Sequence, residues 1–246
     1  MNALADLLEA TAALHHHLCP RQVIGVRMGM LAGEILGLEL PQADKRLLTI
    51  VETDGCVADG IAVACNCWVG HRTLRVEDYG KVAATFVDTH TEHAVRLVPR
   101  AQARQLARSY APDAVNAWEA QRLGYQRMPA SELLAAVPVH LKSPIADIVS
   151  RAGRKTECEA CGEEILNDRE VARQGRVLCR ACAGGAYYES CEAWPSELTA
   201  RLVPFRAVAS APELREIGQY ASHQVRTARL RCAAKELPTH ASNARA

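Results

Sequence analysis

The sequence predicts an α+β fold: a core with helices packed on a mainly antiparallel sheet, then a small cysteine-bearing module and a helical C-terminal tail. Three observations predict it. Apolar residues recur at helical spacing near the start, in Leu4, Leu7, Leu8 and Leu14. Short apolar runs bounded by turn residues follow in the middle of the chain. Two Cys-x-x-Cys pairs then stand close together after residue 150. These features divide the chain into a core over 1–150, a module over 151–190 and an extension over 191–246.

The elements can be read in order. A helix is expected over 3–14. Pro20 favours a first helical position, which puts Cys19 at the N-cap of a second helix running to Leu36 and stopping at Gly37. Gly25, Gly29 and Gly33 share one face of that helix and imply a close backbone contact, read here as a contact with a partner chain. Leu47–Val51 is a short buried strand. Asp54 is a good N-cap for a helix over 56–68. Strands over 73–77, 81–88 and 94–98 form a meander, with turns at 78–80 and 89–92. Helical segments over 100–109 and 113–125 come next, then an edge strand over 137–141 interrupted by Pro138. Residues 196–236 read as mostly helical.

Composition excludes several classes. Hydrophobic residues make up 49% of the 246, which argues against global disorder. Aromatics are 4%, too few for a base-stacking platform. With 29 basic and 28 acidic side chains, no overall charge drives the chain toward nucleic acid or an anionic membrane. No apolar run spans a bilayer, and Asp6 and Glu9 interrupt any signal-peptide core, so the expectation is a cytoplasmic protein with no membrane partner. Ten cysteines in a reducing compartment read first as metal ligands or reactive thiols.

Cys158-x-x-Cys161 and Cys179-x-x-Cys182 are separated by 17 residues. Two such knuckles supply four thiolates to a tetrahedral Zn²⁺, the arrangement of a zinc ribbon. Four protein ligands close the coordination sphere, so this zinc is structural. Arg169, Arg173, Arg176 and Arg180 give the ribbon a basic edge. A solvated face balanced by nearby carboxylates is favoured over a nucleic-acid contact, and a protein partner on the ribbon is the other expectation.

The core carries a second constellation. His15, His17 and Cys19 alternate just before a helix start, so in an extended segment their side chains point the same way. Cys56 stands at another strand-to-helix turn. Helix N-termini favour thiolates. Two thiols and two imidazoles suit a transition metal such as zinc, iron or nickel. A polar turn with buried thiols fits the same spacing, and both readings stay open. Cys65 and Cys67 are weaker ligands, because i and i+2 on a helix do not face each other. Asp78-Tyr79-Gly80-Lys81 is a turn that also places Lys81 or Asp78 as an acid, base or anion contact for Cys19 and Cys56.

The motifs His15-x-His17-x-Cys19-Pro20, Gly25-Val26-Arg27-Met28-Gly29, Glu52-Thr53-Asp54-Gly55-Cys56 and Asp78-Tyr79-Gly80-Lys81 together resemble the FmdE family, named after formylmethanofuran dehydrogenase, over about residues 10–140. The resemblance implies an α+β core forming intertwined homodimers, with a zinc finger appended in some members. It places His17, Cys19 and Cys56 in the family's polar pocket and makes His15 the first histidine of the motif. The sequence departs at His16 and Arg21, where the family usually has glycine. The family name comes from an operon for a molybdenum or tungsten enzyme that fixes carbon dioxide onto a C1 carrier. Two functions follow as expectations: a metal-binding accessory or enzyme of that C1 metabolism, or a regulatory or adaptor protein that senses metal.

Overall fold

The computed structural model describes residues 4–149 and 153–189. The expected helix over 196–236, Cys191 and Cys232 lie outside them. The chain divides into two compact units after Ser150.

In the first unit, α1 (Leu4–His15) and α2 (Pro20–Leu36) precede β1 (Leu47–Val51) and α3 (Cys56–Cys65). Strands β2 (Leu74–Val76), β3 (Ala84–Asp88) and β4 (Ala94–Pro99) follow. Two short turns of helix, α4 (Ala103–Leu106) and a 3₁₀ turn at Ala107–Tyr110, lead to α5 (Ala117–Arg127). The unit ends with α6 (Ala130–Leu133), β5 (Leu134–Val139) and α7 (Ile145–Ile148). The sheet order is β2-β1-β3-β4-β5. Only the β1–β2 pair is parallel, with Thr49 opposite Leu74; β1–β3, β3–β4 and β4–β5 are antiparallel. The sheet is therefore mainly antiparallel, as expected. The meander differs in one strand: β2 does not pair with β3 but returns through α3 to lie beside β1. A parallel partner needs a crossover, and α3 supplies it.

Pro138 sits in β5, an edge strand, where a missing N–H is tolerated. Val23, Val26, Met28, Leu47, Val51, Ile61, Phe86 and Leu97 form the sealed centre of the core. Leu48, Val87 and Ala94 face a second, smaller cluster with Val139, Leu141, Ile145 and Ile148. Covered on both faces, β3 is buried throughout.

The glycine face of α2 has an occupant within the chain. A Cβ on Gly25 would lie 2.3 Å from the Val57 carbonyl oxygen, and one on Gly60 of α3 would lie 2.4 Å from the Gln22 carbonyl oxygen. Gly29 meets Ala64 and Cys65 in the same way. The close contact foreseen for Gly25, Gly29 and Gly33 thus exists, but α3 and the Leu38–Leu40 segment take it up. The stripe offers no argument for a partner chain.

The second unit is two small hairpins. β6 (Lys155–Glu157) pairs with β7 (Glu164–Leu166), and β8 (Val171–Arg173) with β9 (Arg176–Leu178). The β8–β9 loop is Gln174-Gly175, with φ 52° and 75°, which matches the twist of a tight hairpin. Among the described residues, no helix is long and apolar enough to cross a membrane.

Candidate metal centres

The ribbon cysteines converge. The Sγ atoms of Cys158, Cys161, Cys179 and Cys182 all lie within 4.8 Å of one another. Each knuckle is a tight turn whose N–H groups point at sulfur. The Cys179 N–H donates to Cys158 Sγ at 3.2 Å, and the Cys182 N–H donates to Cys179 Sγ at 3.3 Å. Gly162, with φ 74°, closes the first turn by donating its N–H to the Cys158 carbonyl at 2.8 Å. Burial works to raise the Cys158 thiol, but N–H donors from Cys179, Cys161 and Ala160 outweigh it and bring the thiol down to about 6. Four sulfurs in this arrangement fit a closed tetrahedral zinc site and leave no position for substrate. Two arginines of the basic edge are used in building the module. Arg173 donates to the Ala183 carbonyl at 2.7 Å, and Arg176 to the Glu159 carbonyl at 3.0 Å.

In the first unit the two predicted thiols also meet. Cys19 caps α2, and Cys56 opens α3. The Cys56 thiol lies against the Cys19 thiol, and burial together with that neighbour pushes Cys56 up rather than down. The helix start alone does not make Cys56 a thiolate. Gln22, fully buried, positions Cys19: its Oε1 accepts the Cys19 N–H at 2.7 Å, and its Nε2 donates to the Thr11 carbonyl at 3.3 Å. Sequence reasoning missed Gln22, although a Gln three residues after an N-cap is a capping-box signal. The α3 cap differs from expectation as well. It is Gly55, at φ 80° and ψ −153°, not Asp54. That backbone conformation is open essentially to glycine alone.

The histidines reach the site by another route than alternation. His15 is the last residue of α1, and His16 takes φ 60°. A left-handed residue ends the helix, so the segment is not extended and the alternation argument fails. His15 Nε2 lies 2.5 Å from Asp59 Oδ2 on α3. His17 Nδ1 donates to the His15 carbonyl at 2.9 Å, and the two rings meet edge to face with centroids 5.6 Å apart. Each imidazole thus has one nitrogen anchored by an oxygen and the other uncommitted in these contacts, the arrangement common for metal-ligating histidines. Among the described residues, however, the ribbon holds the one group of three or more such ligand atoms drawn within 4.8 Å. The core residues form a pair of thiols and a pair of imidazoles, not a closed cage.

The Asp78–Lys81 segment is a turn pinned to Glu52. Asp78 Oδ1 accepts the Gly80 N–H at 2.9 Å, and the Glu52 carbonyl accepts the N–H groups of Tyr79 and Lys81. Lys81 is exposed, with its Nζ 6.0 Å from the centre of the Tyr79 ring. Glu52 itself is buried and bidentate to Arg96, at 2.5 and 2.7 Å, which holds its carboxyl below the usual range.

Cys65 and Cys67 overturn the spacing argument. Asn66 takes φ 52° and ends α3, so the two side chains turn toward each other inside the core. Both are fully buried. The Cys67 thiol raises Cys65 well above its ordinary value, with burial acting the same way. Cys67 is lowered by Cys65 first, against burial, and then by Thr49, Thr73 and Gln42. Gln42 Nε2 donates to Cys67 Sγ at 3.1 Å.

Comparison with known proteins follows the same division into core and ribbon. The pattern of the family described as "FmdE, Molybdenum formylmethanofuran dehydrogenase operon" matches residues 14–139, just over half of the chain. The chain belongs to the FmdE family. Residues 151–188 match the prokaryotic dksA/traR C4-type zinc finger. This FmdE protein is similar to a crystal structure of an FmdE-like protein of tungsten formylmethanofuran dehydrogenase from Syntrophus aciditrophicus. The TM-score is 0.51 at 20% identity, covering 76% of this chain and 96% of that one, and this likeness speaks for the fold alone. A protein of Archaeoglobus fulgidus described as a probable S-adenosyl-L-methionine-binding protein is 28% identical over 204 residues. The match covers 75% of this chain and 54% of that protein, so the chain spans about half the length of this relative.

Proposed function

We propose that this FmdE protein is a metal-binding accessory protein or enzyme of the C1 metabolism related to formylmethanofuran dehydrogenase, with chemistry in its core and zinc only as a staple in its ribbon. The observation that carries the reading is the meeting of Cys19 and Cys56 at the starts of α2 and α3. In this reading Cys19, Cys56 and His17 hold a transition metal such as zinc, iron or nickel, with His15 as a fourth ligand if the site closes. Three protein ligands leave a position for water or substrate. Asp59 and the His15 carbonyl orient the two rings. The pocket is proposed to work in a homodimer, on the family resemblance and not on the glycine stripe.

The test is metal analysis of anaerobically purified full-length protein. Two metals per chain are expected. Cys56→Ser should lose one and keep the ribbon zinc, whereas Cys161→Ser should do the reverse. A core that carries no metal and has a rapidly alkylated Cys19 would replace the metal site with thiol chemistry. Light scattering should give twice the 26.8 kDa of one chain. Because the Archaeoglobus fulgidus relative is described as a probable S-adenosyl-L-methionine-binding protein, that compound is the small molecule to titrate against the core.

The C4-type zinc finger favours a second reading, a regulatory or adaptor protein whose ribbon docks on a partner. Replacing the exposed Arg169 and Arg180 by glutamate should then abolish partner binding without changing the core metal.

A further inference from the structure

His93 and His140 belong to neither metal centre above. They stand at one end of the β4–β5 ladder. The antiparallel register runs from Pro99 opposite Leu134 to Ala94 opposite Val139. One step further along it, His93 faces His140 directly. Directly opposed side chains of an antiparallel pair project to the same face, with Cβ atoms about 5 Å apart. Two imidazoles at that spacing can both reach one metal at about 2 Å per nitrogen.

The shared surroundings agree with the register. Both histidines line one cavity of about 320 Å³, whose other walls include Ile35, Leu36, Val95 and Pro138. Val95 is two residues from His93, and Pro138 two residues from His140, so all four side chains belong to the sheet face that α2 covers. Ile35 and Leu36 end α2, and Gly37 caps it at φ 65°. The C-terminal end of a helix favours a cation beside it. The apolar wall leaves few competing donors. Both rings are exposed, so a solvated ion can enter. The backbone beneath them is tied down. The His93 carbonyl accepts the Asp88 N–H at 2.9 Å, and the His93 N–H donates to Thr91 Oγ1 at 3.3 Å.

We propose that His93 and His140 form a bis-imidazole chelate for a borderline divalent transition metal, of the nickel, copper or zinc class, with water completing its coordination. Imidazole-only donors distinguish it from the thiolate centres. Two protein ligands make it an exchangeable site that fills when free metal is plentiful, unlike the closed ribbon.

The experiment uses tag-free, full-length protein with its ribbon zinc in place. The probe is Ni²⁺, followed through the imidazole resonances, because the His15–His17 triplet also offers rings to nickel and only a site-specific signal separates the two. The His93 and His140 signals should broaden together along one binding curve. His93→Asn should weaken the response of His140 by about tenfold or more, and His140→Asn that of His93, since each removes half of a chelate. Both variants should keep their zinc content and melting temperature, because neither ring is in the core. A His15→Asn/His17→Asn variant should leave the His93 and His140 curve in place. The proposal is overturned if either ring responds with unchanged affinity when the other is replaced, or if neither responds to nickel.

Discussion

In the core, Val23, Val26, Met28, Ala32, Leu47 and Val51 are sealed from water, and many neighbours with them. In the ribbon, Cys158, Ile165 and Leu178 are the buried apolar residues among those described. One unit has enough apolar area to hold itself together; the other has three buried side chains and a cluster of four sulfurs. The same residue type consequently does opposite things in the two. Cys65 and Cys67 are packing groups that share a polar shell with Gln42, whereas Cys158 and its partners replace a core that the ribbon is too small to build. Cys19 and Cys56 stand between these cases, shielded like the first pair and placed at helix starts like ligands.

The largest test of this contrast is Cys161→Ser. Structural zinc contributes on the order of 10 kcal/mol to small finger domains, so residues 155–182 should lose their amide protection and their zinc together. The core should melt as before. A substituted protein that kept one tightly bound zinc per chain and a folded ribbon would undo the contrast.

The reverse experiment is Gly25→Ala. A methyl 2.3 Å from a carbonyl oxygen of α3 forces α2 and α3 apart, at a cost of about 3 kcal/mol. Urea unfolding should show it, with zinc content unchanged. A smaller loss is expected for Arg96→Ala, about 2 kcal/mol, reduced from the value for a fully sealed pair because Arg96 retains some contact with water. This change should also alter the acid limb. Glu52 is held below its unfolded value, so its contribution is complete above about pH 4.3 and is lost as pH falls through the folded value. Wild type should therefore lose core stability below about pH 4.3 more steeply than Arg96→Ala.

The smallest effect should be a gain. His16 occupies φ 60°, where a side chain costs about 1 kcal/mol and glycine costs little. His16→Gly should raise the core melting temperature by about 3 °C and leave the ribbon alone. The departure from the family at this position is thus a glycine position filled by histidine with the same backbone turn. A fall in melting temperature would show that the His16 side chain contributes more than its strain.

Much of the molecule was legible because its signals are local. Four cysteines at knuckle spacing, Gln174-Gly175 between two short strands, Pro20 opening a helix, Gly37 ending it and the apolar run Leu47–Val51 each act within a few residues, where chain geometry leaves little choice. Those residues by themselves determined the ribbon, the main helices and the strand that centres the sheet. Which surfaces then meet was decided only in three dimensions. The glycine face of α2 found α3, β2 crossed over to lie parallel with β1, and Cys19 met Cys56 from a distant part of the sequence. Left-handed residues decided the rest. Asn66 turned Cys65 toward Cys67, and His16 broke the alternation on which the histidine argument relied. Periodicity assumes a continuing helix or strand, and a single residue at positive φ redirects every side chain after it; whether a non-glycine residue accepts that strain is settled by the packing around it.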